Sequence, residues 1–387
     1  MGRRAIAPIV GVTLVCALVG SASASATGTR VVSRAQVSPT LVRDVPVEFL
    51  AHGSPGRGVA RSASGIAGVD SVQSFTGTYQ LANDDSFGNP NSQWTYNTLG
   101  RQPRAGGTTT VRGPIVPVVV ELLNVDGTVA MTSDPNQQVR QALTSPVFAH
   151  QKYSSSRTPT QYADAIQRAQ FYRSAEPDWH TMLAPVVAHR RVMRVPYGSY
   201  RYALNPDGSL RYTLVDLTTF DRLLFPSTST DTSTVIGAAE HAGEMTTKDI
   251  TTVLFNNVLL ADNLDSPSFV VLGYHSYDIE PGDAGNGHRE RDYVMNYASW
   301  LSPGLFDQFV DVTPLSHEIA EIFNDPFAAS QPSGSAVPYD TTPWWRAPNG
   351  NCQNILEVGD VLEGLPNSTY ATTIHGRTYH PQNEALL

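Results

Sequence analysis

Cysteine is nearly absent from the sequence, which contains two cysteines in 387 residues. Cys16 lies in an apolar N-terminal run that we expect to be removed, so Cys352 is left without a partner in the chain. This shortage excludes an intramolecular disulfide, CxxC redox motifs and cysteine-rich zinc knuckles. The chemistry of the chain must therefore come from other side chains.

Positive charge is also scarce, with 26 Lys and Arg residues against 35 Asp and Glu residues and a formal net charge of −9. Nucleic acid binding needs a basic face, and no Lys/Arg cluster supplies one, so we expect no nucleic acid partner. The chain is 41% hydrophobic and 16% charged, which is typical of a folded protein rather than a disordered one.

Long apolar runs are confined to the N-terminus. Arg3 and Arg4 precede an apolar run from Ile6 to Val19, and small residues at 24–26 have the spacing that a signal peptidase recognises. We therefore predict a signal peptide over residues 1–26 and a secreted, extracellular protein. No later segment is apolar for 18 residues, so we expect no transmembrane segment in the mature chain.

Several common catalytic motifs are missing. There is no GxSxG elbow for a serine hydrolase, and neither GxGxxG nor GxxxxGK[ST] occurs. Serine-based hydrolysis and nucleotide binding therefore have no support in the sequence.

The composition changes along the chain. Residues 27–107 are rich in Ser, Gly, Asn and Thr without an apolar period, so we expect a loosely ordered region and a candidate propeptide there. Residues 108–387 are predicted to form the folded domain. Its first element is predicted to be an edge strand over Gly113–Leu123, because Pro114 and Pro117 interrupt a Val/Ile-rich run.

Helix and strand patterns alternate irregularly after this point, which favours an α+β domain over a doubly wound sheet. Apolar residues in Thr160–Arg173 recur at spacings of three and four residues, which predicts an amphipathic helix. Strands are predicted over Tyr200–Leu204, Leu210–Leu217 and Ser268–Tyr277, with a hairpin turn at 205–208 between the first two.

One motif stands above the background, the HExxE sequence within Leu315–Pro326. We expect a helix that starts after the Thr-Pro pair at 313–314 and stops at Pro326. Residues four apart on a helix lie on one side and about 6 Å apart along the axis. His317 and Glu321 can therefore hold one metal ion.

Glu318 lies next to this pair, as the general base does in the HExxH helix of zinc peptidases. We therefore predict that Glu318 removes a proton from a metal-bound water. Asp325 is a candidate hydrogen-bond partner for a ligand. The alternative interpretation of the whole motif is a solvated acidic helix face.

A third metal ligand must come from outside the helix, because zinc sites use at least three protein donors. Glu357 is the leading candidate and Asp360 the second; the alternative for Glu357 is a strand-end side chain facing solvent. His275, at the end of an apolar strand, is a weaker candidate and would otherwise be a core histidine. His375 and His380 are further alternatives.

These residues resemble a known group of proteins. The Leu-Gly-Tyr-His strand, the Ser-His-Glu-Ile-Ala-Glu helix followed by Asn-Asp-Pro, and the later Leu-Glu-Val-Gly-Asp are similar to secreted zincin-like proteins with an HExxE helix, and distantly similar to plant phosphate-induced, Exordium-type proteins. The resemblance covers roughly Phe269–Leu387. It implies a zincin-like metallopeptidase domain with a mixed sheet and an active-site helix, in which His317, Glu321 and Glu357 bind metal and Glu318 is the base.

Three functional hypotheses follow. The first is a secreted metal-dependent hydrolase, specifically a zinc peptidase with one zinc ion per chain and a peptide or protein substrate. The second is a non-catalytic extracellular or cell-wall binding protein on a zincin-like scaffold. The third is a glycoside hydrolase that uses Glu318 and Glu321 as paired carboxylates and needs no metal.

A second metal is predicted with weaker support. The Gly/Asp-rich segment Glu280–Gly287 offers carboxylates and carbonyl oxygens, the ligands that calcium prefers, but it lacks EF-hand spacing. The alternative interpretation is a flexible surface loop.

Overall fold

The computed structural model describes residues 35–43, 45–51, 68–80, 93–153, 158–327, 345–347, 349–350, 352–353 and 357–384. The predicted signal peptide lies outside these residues. None of the helices in the described ranges is long and apolar enough to cross a membrane.

The described residues form strands and α-helices in an irregular order. The strands are β1 (Val47–Ala51), β2 (Val69–Asp70), β3 (Ser74–Gln80), β4 (Gln93–Leu99), β5 (Thr108–Leu123), β6 (Val129–Ser133), β7 (His180–Val187), β8 (Arg191–Val195), β9 (Tyr200–Leu204), β10 (Leu210–Asp216), β11 (Ile250–Asn256), β12 (Val258–Ala261), β13 (Val270–Glu280), β14 (Glu290–Trp300), β15 (Trp345–Arg346), β16 (Cys352–Gln353), β17 (Thr372–Ile374) and β18 (Arg377–Tyr379). The helices are α1 (Asn136–Leu143), α2 (Tyr162–Gln170), α3 (Leu217–Leu224), α4 (Val235–His241) and α5 (Thr313–Asn324).

One large mixed sheet organises the molecule, in the strand order β6-β5-β11-β14-β13-β12-β10-β9. The pairs β5–β11, β11–β14 and β10–β12 are parallel, whereas β13–β14, β12–β13 and β9–β10 are antiparallel. The predicted α+β class and mixed sheet are confirmed.

The two faces of the sheet carry different helices. On one face, apolar side chains of α1, α2 and α5 pack with strand residues such as Tyr277, Val294 and Ala298. On the other face, α3 and α4 pack against Tyr274 and Tyr297. Both cores share the pair β13–β14, so the middle of the sheet is buried on both sides.

Most of the predicted elements are present with small shifts of their ends. The helix predicted over Thr160–Arg173 is α2, and the strand predicted over Ser268–Tyr277 is β13. The predicted strands at 200–204 and 210–217 are β9 and β10, which pair as an antiparallel hairpin. The helix predicted between the Thr-Pro pair and Pro326 is α5.

The edge-strand prediction for Gly113–Leu123 is wrong. This segment belongs to β5, which pairs with both β7 and β11 at Ile115 and with both β6 and β8 over Val120–Leu122, so it has a neighbour on each side. Pro114 lies one residue before the pairing with β11 begins, and Pro117 lies between the pairing of β7 and that of β8. Because each proline coincides with a gap in one neighbour, its missing N–H need not remove a ladder hydrogen bond.

Described parts of the segment before residue 108 are also strands. β1 pairs with β13, β2 pairs with β14, and β3 and β4 form an antiparallel hairpin. Val69 and Leu99 from this region are buried in the core under α5. The sequences of β3 and β4 do alternate polar residues with aromatic ones, Phe75 and Tyr79 in β3 and Trp94 and Tyr96 in β4, but this alternation is short and lies between stretches rich in Ser, Gly and Asn.

Candidate metal centre

Helix α5 carries the HExxE motif into the interior of the protein. Its residues from Thr313 to Phe323 are all buried. His317 and Glu318 are fully buried, and Glu321 is 2% exposed. The alternative interpretation of the motif as a solvated acidic helix face is therefore wrong, and the charged side chains need partners inside the protein.

Strand β13 supplies the nearest of these partners. Gly273, His275 and Tyr277 alternate along the strand and face α5, as the two-residue period of a strand requires. Nδ1 of His275 lies 3.4 Å from Oε2 of Glu318 and 3.6 Å from Oε2 of Glu321. A Cβ added at Gly273 would lie 2.6 Å from Oε1 of Glu318, so glycine at this position lets the helix approach the sheet.

The segment 357–360 covers the helix from another direction. The backbone N–H groups of Gly359 and Asp360 donate to Oε1 of Glu321, at 3.1 and 3.3 Å. These two bonds fix the carboxylate and leave its other oxygen for the imidazoles. A Cβ added at Gly359 would lie 2.6 Å from Cε1 of His317, so a larger residue there would displace the histidine.

Three overlapping groups of side chains have ligand atoms within 4.8 Å of one another. They are His317, Glu321 and Asp360; His275, Glu318 and Glu321; and His275, Asp325 and Glu357. Glu321 belongs to two groups and His275 to two, so the three form one continuous cluster of two imidazoles and five carboxyl groups.

The separations within the cluster suit ligand atoms around an ion. Nε2 of His317 lies 3.1 Å from Oε2 of Glu321 and 3.5 Å from Oδ1 of Asp360. Most of the separations in the cluster exceed the usual length of an N–H···O hydrogen bond, about 2.9–3.0 Å. Four ligands placed tetrahedrally about 2.1 Å from an ion lie about 3.4 Å from one another, close to what is observed.

Several buried oxygens in the cluster accept no hydrogen bond from the described residues. They are Oε1 of Glu318, both carboxylate oxygens of Glu357 and Oδ1 of Asp360. A buried polar atom without a partner costs about 1–3 kcal/mol, and more when the group is charged. A bound cation would satisfy these oxygens.

The pKa values reflect the same excess of negative charge. Burial raises the pKa of Glu318 to about 7 and that of Asp360 to about 6, against the opposing effect of the histidines. Burial, and then the charge of Glu321, raises the pKa of Glu357 well above its usual range. Burial alone would lower the pKa of His317, but the surrounding carboxylates outweigh it and raise that pKa well above the usual range.

Glu321 behaves in the opposite sense. Burial would raise its pKa, but His317 and His275 hold the pKa below the usual range of a glutamate. The side chain that belongs to two groups is thus the carboxyl that stays ionised most readily, as a metal ligand must.

The predicted site residues are all brought into the cluster, but in different groups. Glu357 is fully buried, so its alternative as a side chain facing solvent is wrong. It lies with His275 and Asp325, whereas Asp360 joins His317 and Glu321. Which group holds an ion stays a prediction.

The other histidine candidates are not part of these groups. His380 pairs with Asp311 through Nδ1 at 2.7 Å. His375 follows β17 with a φ of 50° in a turn, and it is absent from the groups found among the described residues.

One functional candidate was missed from the sequence. Oε2 of Glu384 would lie 2.8 Å from a Cβ at Gly359, and this oxygen is buried without a hydrogen-bond partner among the described residues. Contacts of the neighbouring Gln382 hold this segment in place: its N–H donates to Ser316 Oγ, and its carbonyl accepts from Tyr162. No local pattern marks Glu384, because its approach depends on contacts with distant residues.

The loop predicted as a weak calcium site forms a turn. Oδ1 of Asp283 accepts from the N–H groups of Gly285 and Asn286, and its Oδ2 pairs with Arg291 at 2.7 Å. The carboxylate of Asp283 is therefore already used in the loop. Calcium binding at this loop stays a prediction.

A fourth group of possible ligands lies on the other face of the sheet. It consists of Glu240, Asp278 and Glu280, of which Glu240 is partly buried near the end of α4. Burial, and then the charges of Asp278 and Glu280, raises the pKa of Glu240 to about 9.

Comparison with known proteins identifies no relative. No protein-family model matches the chain, and neither a curated protein nor a solved structure is significantly similar to it. Any functional proposal for this chain therefore depends on the geometry of the cluster itself.

Proposed function

We propose that the protein is a secreted metal-dependent hydrolase, a zinc peptidase whose ion is held by His317, Glu321 and Asp360. The observation that supports this most is the burial of the HExxE helix together with the position of Nε2 of His317, which lies 3.1 Å from Oε2 of Glu321 on the same helix and 3.5 Å from Oδ1 of Asp360. Imidazole nitrogen and carboxylate oxygen are both accepted zinc ligands. When bound, zinc would supply Lewis acidity that polarises a carbonyl and makes a water molecule more acidic.

Glu318 is the proposed general base. A base works best when its pKa lies near the working pH, and burial raises the pKa of Glu318 to about 7. Its Oε1 accepts no hydrogen bond from the described residues, so this oxygen is available for a proton. The substrate class, a peptide or protein, follows from the resemblance of the helix to that of zinc peptidases.

A second candidate function is supported by the burial of the cluster. His275, His317, Glu318 and Glu357 are all fully buried, so a peptide could reach them only after a change in conformation. A buried metal centre that stabilises a non-catalytic, extracellular binding protein would be built in the same way, since structural zinc sites are closed and catalytic ones keep an open position.

The experiment that separates the two functions is Glu318→Gln, which keeps the size of the side chain and removes the base. We expect the variant to retain its metal and its unfolding midpoint while hydrolysis of a fluorogenic peptide library falls about 10²-fold or more. Glu121→Gln is the matched control, because Glu121 pairs with Arg194 and belongs to none of the groups of possible ligands.

Three results would redirect the proposal. Loss of metal in Glu318→Gln would make Glu318 a ligand instead of a base. Absence of chelator-sensitive cleavage by the wild type between about pH 4 and 9 would favour the binding protein. Cleavage of a chromogenic glycoside that survives chelation would favour the glycosidase hypothesis.

A further inference from the structure

The group of His275, Asp325 and Glu357 is not used by the proposed zinc site. His275 comes from β13, Asp325 ends α5, and Glu357 lies in the segment that covers the helix. Their ligand atoms lie within 4.8 Å of one another. Asp325 is 1% exposed and the other two are fully buried.

Glu357 is the side chain that points to a ligand. Neither of its carboxylate oxygens accepts a hydrogen bond from the described residues. Its nearest recorded partner is Nε2 of His275, at 3.9 Å from Oε1, which is too far for a hydrogen bond. A fully buried carboxylate aimed at an imidazole without bonding to it leaves room for an ion between them.

The two nitrogens of His275 face different carboxylates. Nδ1 faces Glu318 and Glu321, whereas Nε2 faces Glu357. If Nδ1 donates its hydrogen to Glu318, the neutral imidazole presents the lone pair of Nε2 toward Glu357. This is the tautomer that a metal ion bound on the Glu357 side requires.

The number of carboxyl groups also favours more than one cation. Six carboxyl groups converge here, and the ion pairs recorded for Glu318, Glu321, Glu357 and Asp360 are all with histidines. The six are Glu318, Glu321, Asp325, Glu357, Asp360 and Glu384. One divalent ion would leave a net charge of −4 if all six were ionised, and two would leave −2. Unpaired buried charge is strongly destabilising.

We infer that His275, Asp325 and Glu357 hold a second divalent metal ion beside the first. The first ion in this inference comes from the proposed function. The second ion has its own ligands and does not depend on it. The alternative is that His275 is an imidazolium that pairs with carboxylates on both sides, and in that case the second ion would be absent.

The test uses elemental mass spectrometry to measure the number of zinc ions per chain. The sample is the purified full-length protein after equilibrium dialysis against zinc. We expect two ions in the wild type, one in Glu357→Gln and one in His317→Ala. Asp325→Asn should also bind one ion, and it replaces Glu357→Gln if that variant fails to fold by circular dichroism. Asp278→Asn is the matched control, because it removes a ligand from the acidic group on the other face of the sheet and should leave two ions.

The outcomes separate this inference from the proposed function. One ion in the wild type that is lost in His317→Ala and kept in Glu357→Gln would overturn the second site and leave the first in place. No ion in the wild type would overturn both. A second ion that is lost in Asp278→Asn and kept in Glu357→Gln would move that ion to the other face and overturn the assignment to His275, Asp325 and Glu357.

Discussion

Asp292→Asn should make the stability of the protein less dependent on pH. Asp292 lies in β14 opposite Ile279, it is fully buried, and neither carboxylate oxygen has a hydrogen-bond partner among the described residues. Burial, and then the charges of Glu290, Asp278 and Asp70, raises its pKa from 3.8 to about 8. The folded state therefore binds a proton at Asp292 more tightly than the unfolded state does.

The sign of the effect follows from linkage. Because the folded pKa is the higher one, the stability from protonated Asp292 is fully present below about pH 4 and is lost as the pH rises toward about 8. The loss is about 1.4 kcal/mol for each pH unit, or about 2.7 kcal/mol between pH 5 and 7. This is a large part of the ~5–15 kcal/mol that stabilises a typical protein.

Urea unfolding of the wild type and of Asp292→Asn at pH 5, 6, 7 and 8 measures this effect directly. The difference in unfolding free energy should grow in favour of the variant at each step, and other titrating groups cancel because both proteins contain them. Asp307→Asn, the same change at a side chain that is 86% exposed, is the control. A difference between wild type and Asp292→Asn that stays constant from pH 5 to 8 would refute the reasoning.

Two further predictions test packing and charge. Gly359→Ala should lower the unfolding free energy by about 1–3 kcal/mol and reduce bound zinc, because the added Cβ meets His317. The control is Gly113→Ala, whose Cβ would make only ordinary contacts and which should keep its zinc. Equal zinc in both variants would contradict the prediction. Arg112→Leu should cost about 1–3 kcal/mol in urea unfolding, because it leaves the 2%-exposed Asp249 without its ion pair at 2.7 Å. Adding Asp249→Asn should restore most of that loss, and a double variant as unstable as Arg112→Leu would show that the ion pair is not the cause.

The sequence predicts the helix of the site better than its surroundings. Local signals, the Thr-Pro pair and Pro326, bound α5, and the four-residue spacing brings His317 and Glu321 to one side. His275 could be named as a candidate because a strand pattern ends near it. These are short-range features, and they can be predicted because the spacing of apolar residues follows the periods of helices and strands.

The remaining ligands depend on contacts that the sequence does not record. Glu357 lies in the irregular segment before the 3₁₀ turn Asp360–Leu362, and Asp360 is the first residue of that turn, so no regular period sets the directions of these two side chains. The choice between them therefore could not be made from spacing. Glu384 reaches the cluster through contacts made by Gln382, and β5 lies inside the sheet because of partners far away in the chain.

Gly273 and Gly359 add two uncharged positions to the residues that a sequence needs in order to form the cluster. Each leaves space that a side chain of the helix fills, so a chain with HExxE but with larger residues at these two places could not close around the helix in the same way. The glycine two positions before the strand histidine and the glycine just before the aspartate are therefore diagnostic. Together with HExxE they distinguish a chain able to build this centre from the many helices in which a histidine and two glutamates meet by chance.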